Sequence, residues 1–472
     1  MLRTQTRQEI TLIKIIPALV LCLFSSLAGA QVHEYVLNNG LKLLVKVDRR
    51  APIAVSQVWY KVGSSYEHDG ITGISHALEH MMFKGTKKYG EGEFSRIIAE
   101  NGGSQNAFTG DDYTAYFQTM EKSRLRISFE LEADRMRNLV LSQDALDNEL
   151  EVVKEERRLR TEDNPGSFMR EVAMATAFQT SPYRQPIIGW MADLDSMQID
   201  LFSEWYQKWY APNNATVVVV GDVEPDEVHA LARKYFGRLK QETITPPAHR
   251  PEVPQNGIKR VVVKRPAEVP QLTMAYKTPG LRSALAGEAG VEPWEPYALE
   301  VLSGILSGGS SARFESRLVR TQEVATGVGS SYKMTGRLDG LFTIGGTPAQ
   351  GRTVAELEQA IREQIDDLQQ NEVTDEELQR VKAQVVSSDV YEKDSAFYQG
   401  MILGILETVG LGWQIADEYV ERINEVTAAQ VLAVAGKYLV DDGATIAVLE
   451  PQSANRDGMG HGSTVSGGHH VE

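Results

Sequence analysis

The sequence holds a single cysteine, Cys22, among 472 residues. A disulfide framework within the chain is therefore excluded. Positive charge is also in short supply: 48 Lys and Arg stand against 64 Asp and Glu, a formal net charge of −16. That balance disfavours nucleic acid and anionic membrane surfaces as general partners. Long apolar runs are scarce, and after Phe24 no stretch is long and apolar enough for a stable membrane span. A phosphate loop is missing too. Gly308-Gly309-Ser310-Ser311 lacks the Gly-Lys-Ser/Thr ending, so it reads as a helix-entry turn.

What is present begins with a leader. Arg3, Arg7 and Lys14 are followed by the apolar run Ile15 to Phe24, and Leu27-Ala28-Gly29-Ala30 supplies small residues. This is the pattern of a cleavable signal peptide over residues 1–30, cut after Ala30. Leu21 precedes Cys22 where a lipoprotein would need a small residue, and Cys22 lies inside the leader. A cysteine-free mature chain in the periplasm or secreted is the expectation.

The remaining length suits about two to four domains, and its pattern divides into two similar halves. The first is expected over residues 31–241. It opens with a hairpin pattern around Asn38-Asn39-Gly40, continues with a strand from Ala54 to Lys61, and ends with the strand Ala215 to Val220 and a helix from Pro225 to Phe236. Residues 242–258 carry Pro246, Pro247, Pro251 and Pro254 and read as an extended linker. The second half, 259–452, repeats several features. Lys437-Tyr438-Leu439 stands before Ala444-Thr445-Ile446 as Lys208-Trp209-Tyr210 stands before Ala215-Thr216-Val217, and Glu156 falls opposite Ser388. The expected class is α+β: two homologous α/β half-domains, each a mostly antiparallel sheet with helices packed on one face. Residues 453–472, with His461, His469 and His470, read as a disordered Gly/His-rich tail.

The densest chemical signal is His76-Ala77-Leu78-Glu79-His80. On a helix, His76 and His80 stand one turn apart on one face and can hold one Zn²⁺. Glu79 projects beside them and can act as general base on a zinc-bound water. The order is that of the inverzincin signature. A third protein ligand is then required. The helix expected from Ser142 to Arg160 carries Glu149, Glu151, Glu155 and Glu156. Glu149 and Glu156 share a face. Glu151 and Glu155 read as solvated partners of Lys154, Arg157 and Arg158.

These strings carry a resemblance. His76 through Thr86, Gly102 through Thr109, Glu149 through Glu156, Ser181-Pro182-Tyr183 through Gly189 and Gly308 through Phe314 resemble the pitrilysin/insulinase family of zinc peptidases. The nearest branch is that of bacterial enzymes similar to mitochondrial processing peptidase. The resemblance implies one zinc per chain, with Glu156, 76 residues after His80, as third ligand. It implies Glu149 as supporting glutamate and Glu79 as base. It also implies that Asn106, Ala107, Phe108 and Thr109 form a strand on which an extended peptide substrate is added. Family members that form a complete clamp carry an Arg/Tyr pair in the second half. Arg320 matches the arginine, but no tyrosine stands near Ala325-Thr326-Gly327. The expectation is therefore a zinc endopeptidase acting as a dimer, with a related chain that supplies the pair. Two rivals are a non-catalytic scaffold subunit and a peptide-binding protein with structural zinc.

Overall fold

The computed structural model describes residues 31–248 and 250–453. The expected leader with Cys22, its cleavage after Ala30, and the tail histidines lie outside the described residues. No helix among the described residues is long and apolar enough to cross a membrane.

The first sheet contains β1 (Val32–Val36), β2 (Lys42–Val47), β3 (Ile53–Tyr60), β4 (Ser104–Thr109), β5 (Thr114–Glu121) and β6 (Ala215–Gly221), in the order β1-β2-β6-β3-β5-β4. Only β2–β6 is parallel. The turn between β1 and β2 uses Gly40 at φ +84°, and the Asn39 amide donates to the carbonyls of Phe236 and Leu239 at 2.8 and 2.9 Å. The second sheet contains β7 (Lys259–Pro266), β8 (Gln271–Thr278), β9 (Ala325–Tyr332), β10 (Gly340–Pro348) and β11 (Ala444–Gln452), in the order β7-β11-β8-β10-β9. Here only β7–β11 is parallel. Apart from β1, which has no counterpart in the second sheet, the two sheets share one topology, with β4 and β9 as equivalent free edges.

Seven helices position the clefts and join the halves. In the first half they are α1 (Ile74–Met81), α2 (Leu125–Asn138), α3 (Gln143–Arg157) and α4 (Pro165–Ala177). In the second they are α5 (Glu295–Ser307), α6 (Asp375–Glu392) and α7 (Ala396–Val409). Helices α1, α2 and α3 bury Leu78, Met81, Phe129, Met136, Leu146 and Val153 against one face of the first sheet. The second half has its own apolar core built on α5, α6 and the second sheet.

The sheets are covered on their other faces as well, and there the halves trade helices. α7 lies on β3 and β6, where Leu403 joins Leu44, Trp59, Val218 and Val220. α4 lies on β7 and β11, where Met169 and Ala173 join Val263, Ala447 and Leu449. The physical demand is visible in β6, which is buried at every position. A strand apolar on both faces needs cover on both.

Gly404 is the closest point of that exchange. A Cβ there would stand 2.1 Å from Trp59 Cε2. Gly404→Val should therefore cost roughly 3 kcal/mol through overpacking. Gly436, in the helix Ala428–Tyr438 and with open space around its Cβ position, provides the control: Gly436→Ala should gain about 0.5–1 kcal/mol from helix propensity. Urea unfolding of both variants checks the pair, and an unchanged midpoint for Gly404→Val would mean that the exchange contributes little.

Candidate active site

The motif helix is fixed at its start. Gly73, at φ +89°, precedes α1, and the buried Glu67 carboxylate accepts the backbone N–H groups of Gly73 and Ser75 at 2.7 and 2.8 Å. Gly73 must be glycine for a second reason: a Cβ would fall 2.5 Å from the Ile188 carbonyl. Ala77, Leu78 and Met81 face the core, which leaves His76, Glu79 and His80 on the opposite side.

α3 meets that side. Ser142 caps it by accepting from the Ala145 N–H, and the α-helix ends at Arg157, with a π-helical turn from Arg158 to Glu162. The sequence pattern predicts α-helix through Arg160; the wider turn replaces its last residues. One donor atom from each of His76, His80 and Glu156 lies within 4.8 Å of the others. Glu156 Oε2 stands 3.8 Å from His76 Nε2 and 3.5 Å from His80 Nε2. These separations are too long for good hydrogen bonds. They approach the roughly 3.3 Å edge of a tetrahedron with zinc-to-nitrogen arms near 2.05 Å. Two imidazoles and a carboxylate form a zinc donor set, so the residues fit the ion.

The surrounding groups orient these donors. Glu149 Oε1 lies 2.8 Å from His80 Nδ1, and its Oε2 accepts from Lys84 Nζ at 2.7 Å. A proton on Nδ1 leaves the Nε2 lone pair facing Glu156 and His76. His80, and to a lesser extent Lys84, hold the Glu149 carboxyl down at about 2. Burial pushes His76 down to about 3, so it is a neutral imidazole at ordinary pH. For His80, burial works against protonation, but Glu149 and the nearby carboxylates hold its pKa above the usual value. Burial raises the Glu79 carboxyl, although Thr109 Oγ1 donates to it at 2.5 Å.

The structure therefore gathers His76, Glu79, His80, Glu149 and Glu156. Glu151 and Glu155 lie outside, exposed and paired with Lys154 and Arg158. Asn106, Ala107, Phe108 and Thr109 lie on the free edge strand β4, with Ala107 packed toward the core beneath α1. Arg320 is not part of this cluster. It lies in a π-helical segment of the second half, Phe314–Thr321, where its guanidinium donates to the Ser310 carbonyl. Tyr332 is no substitute for the missing tyrosine: it is buried, and its hydroxyl donates to the Pro279 carbonyl at 2.6 Å. Two contacts escape a reading of the sequence, those of Lys84 with Glu149 and of the Thr109 hydroxyl with Glu79. Lys84 lies past the end of α1, so no helical spacing signals the first.

Comparisons with known proteins agree with this architecture. A family profile described as insulinase (peptidase family M16) matches residues 42–190, and one described as peptidase M16 inactive domain matches 196–385. A Helicobacter pylori protein named zinc protease PqqE is 31% identical over 89% of this chain and 93% of its own length. The chain belongs to the insulinase, or M16, peptidase family. Another relative, an uncharacterized zinc protease YmxG of Bacillus subtilis, is 26% identical over 89% of this chain and 98% of its own. The crystal structure of a protease from Helicobacter pylori superposes with a TM-score of 0.83 at 28% identity, covering 90% of this chain and all of that one, 100%. The two-half M16 fold is thus shared along nearly the whole described chain.

Proposed function

We propose that the chain is a zinc-dependent endopeptidase that hydrolyses extended peptides or unfolded segments. The observation that carries this reading is the convergence of His76, His80 and Glu156 beside the Glu79 carboxyl. One zinc per chain would be held by those three donors. When bound, zinc acts as a Lewis acid that polarises the scissile carbonyl and acidifies water. β4 receives the substrate as an added strand through its free backbone edge. Glu79 takes a proton from the attacking water as the carbon–oxygen bond forms. It then delivers that proton to the leaving nitrogen as the carbon–nitrogen bond breaks. Burial, which raises the Glu79 carboxyl, suits a group that must both take and release a proton. Glu149 holds His80 by its Nδ1 proton, and Lys84 holds Glu149.

The scaffold reading is weaker, because a chain without catalysis has no need of four correctly placed site residues. The leader pattern supports a periplasmic or secreted location. Metal content and cleavage of an unfolded peptide, measured on the mature chain, test the proposal directly.

Assembly follows from Arg320 and the absent tyrosine. We expect a clamp-like dimer, preferably with a related chain carrying an Arg/Tyr pair, and weak activity from this chain alone. Solution mass and peptide cleavage with and without that partner check the expectation. Full activity of a monomer or homodimer, unchanged by any partner, would refute divided labour.

A further inference from the structure

Corresponding turns of the two halves meet each other. β4 passes to β5 through residues 110–113, and β9 passes to β10 through residues 333–339. The two strand pairs hold the same places in their sheets. Where the turns touch, Asp112 is buried, only 1% exposed. A carboxylate so placed needs donors and a countercharge. Its Oδ1 accepts from Ser65 Oγ at 2.7 Å. Its Oδ2 accepts from the Tyr183 hydroxyl at 2.5 Å and from the Arg337 backbone N–H at 2.9 Å. The countercharge comes from the second half: Arg337 Nε stands 3.4 Å from Asp112 Oδ1. The loop is seated closely, since a Cβ on Gly336 would stand 2.9 Å from the Tyr183 hydroxyl oxygen.

Arg337 grips a second segment as well. Its Nη2 donates to the Ser65 carbonyl at 2.9 Å and to Ser65 Oγ at 3.0 Å. Its guanidinium lies 4.4 Å from the centre of the Tyr66 ring, in cation–π contact. Ser65 and Tyr66 belong to the 3₁₀ turn Ser64–Tyr66, and Glu67 follows directly. Glu67 is the carboxylate that holds the Gly73 and Ser75 N–H groups at the start of α1. Asp112 lies just beyond Thr109, the last residue of β4, whose hydroxyl meets Glu79. The two gripped segments also touch directly: the Ser65 N–H donates to the Asp111 carbonyl at 2.7 Å.

One side chain therefore ties together both supports of Glu79. One support is the lead-in to the helix that carries it. The other is the turn that ends the strand to which it is bonded. We infer that Arg337, in the half without metal donors, is a positioning residue for the Glu79 carboxyl. By joining Ser65 to Asp112 it sets the spacing between α1 and β4 across which Thr109 meets Glu79. Displacements of about 1 Å at such a contact cost up to about a hundredfold in rate. A contact that merely joins the halves is available for comparison in the same loop. Lys333 Nζ lies 3.1 Å from Asp111 Oδ2 and is half-exposed, and it touches neither Ser65 nor Asp112 through a listed bond to the lead-in of α1.

The inference rests on the peptidase reading, and its test has one arm that needs no hydrolysis. Amide hydrogen exchange is measured on the full mature chain. In Arg337→Met, residues 61–68 and 109–116 should exchange about tenfold faster, while β6 keeps the parent rate. The kinetic arm uses the zinc-loaded chain and an unfolded peptide. Arg337→Met should lower kcat about tenfold with KM within about twofold of the parent value and zinc content unchanged. Added to Thr109→Val, it should cause no further loss, because both substitutions act on one contact. Arg337→Lys keeps the charge without the planar fork and should lose about threefold. It carries the same cycle if the methionine variant does not fold. Lys333→Met should match the parent. Four results would each overturn the positioning role: unchanged kcat in folded, zinc-loaded Arg337→Met, a loss that multiplies in full with that of Thr109→Val, an equal loss in Lys333→Met, or faster exchange along the whole chain. A parent chain that cleaves no peptide overturns the peptidase reading instead, and the exchange arm then still decides whether Arg337 ties the two segments.

Discussion

Glu79→Gln should retain its zinc and lose peptide hydrolysis by roughly 10²–10⁴-fold, the usual contribution of a positioned acid–base group. The substitution keeps shape and the contact with Thr109 but removes the ability to carry a proton. Glu79 is not among the three convergent donors, so metal content should remain near one per chain. Zinc analysis and single-turnover cleavage of an unfolded peptide, made on one preparation, check both halves of the statement. Turnover near the parent rate would end the assignment of Glu79 as base. Loss of metal together with activity would instead make it a ligand.

Glu156→Gln should weaken zinc by at least about a hundredfold, because it removes an anionic donor from the ion itself. Glu155→Gln, one residue away, should leave affinity unchanged. The basis is direct: Glu156 Oε2 lies 3.5 Å from His80 Nε2, whereas Glu155 is exposed and pairs with Arg158 at 2.9 Å. Glu149→Gln belongs between them, at roughly 10- to 100-fold, since it orients His80 without touching the metal. Competition with a chromophoric chelator gives all three values on one scale. The reverse order for Glu155 and Glu156 would mean that the helix is out of register by one residue.

Much of this site is legible in the sequence because its signals are local. Histidines four apart on an amphipathic helix define one face, and two glutamates seven apart define another. The turn at Asn38-Asn39-Gly40 and the valine run of β6 likewise announce themselves through backbone and burial preferences. What cannot be read is long-range. Nothing in the segment that becomes α7 says that it will cover β3 and β6 of the other half, because any apolar helix face satisfies the local pattern. The π-helical turn after Arg157 is hidden for a similar reason: residues 158–162 are acceptable α-helix formers, and only their surroundings widen the turn. The Glu156–Arg160 ion pair, at 2.6 Å, keeps the four-residue spacing of an ordinary helix and gives no hint of the wider turn. The internal echo is visible at strand ends and at Glu156 opposite Ser388.

The reciprocal placement of α4 and α7 has a topological consequence. Each half keeps one of its helices on its neighbour's sheet, so the peptide between them is not what holds the halves together. A nick within residues 242–258 would leave two fragments interlocked by Met169 and Ala173 on one side and Leu403 and Gly404 on the other. Separation would require two apolar sheet faces to be stripped at once. A cleaved chain should thus migrate as two bands under denaturing conditions while remaining one particle in solution. By the same reasoning, neither half is a transplantable module, since cutting at the linker takes from each sheet the helix that covers it.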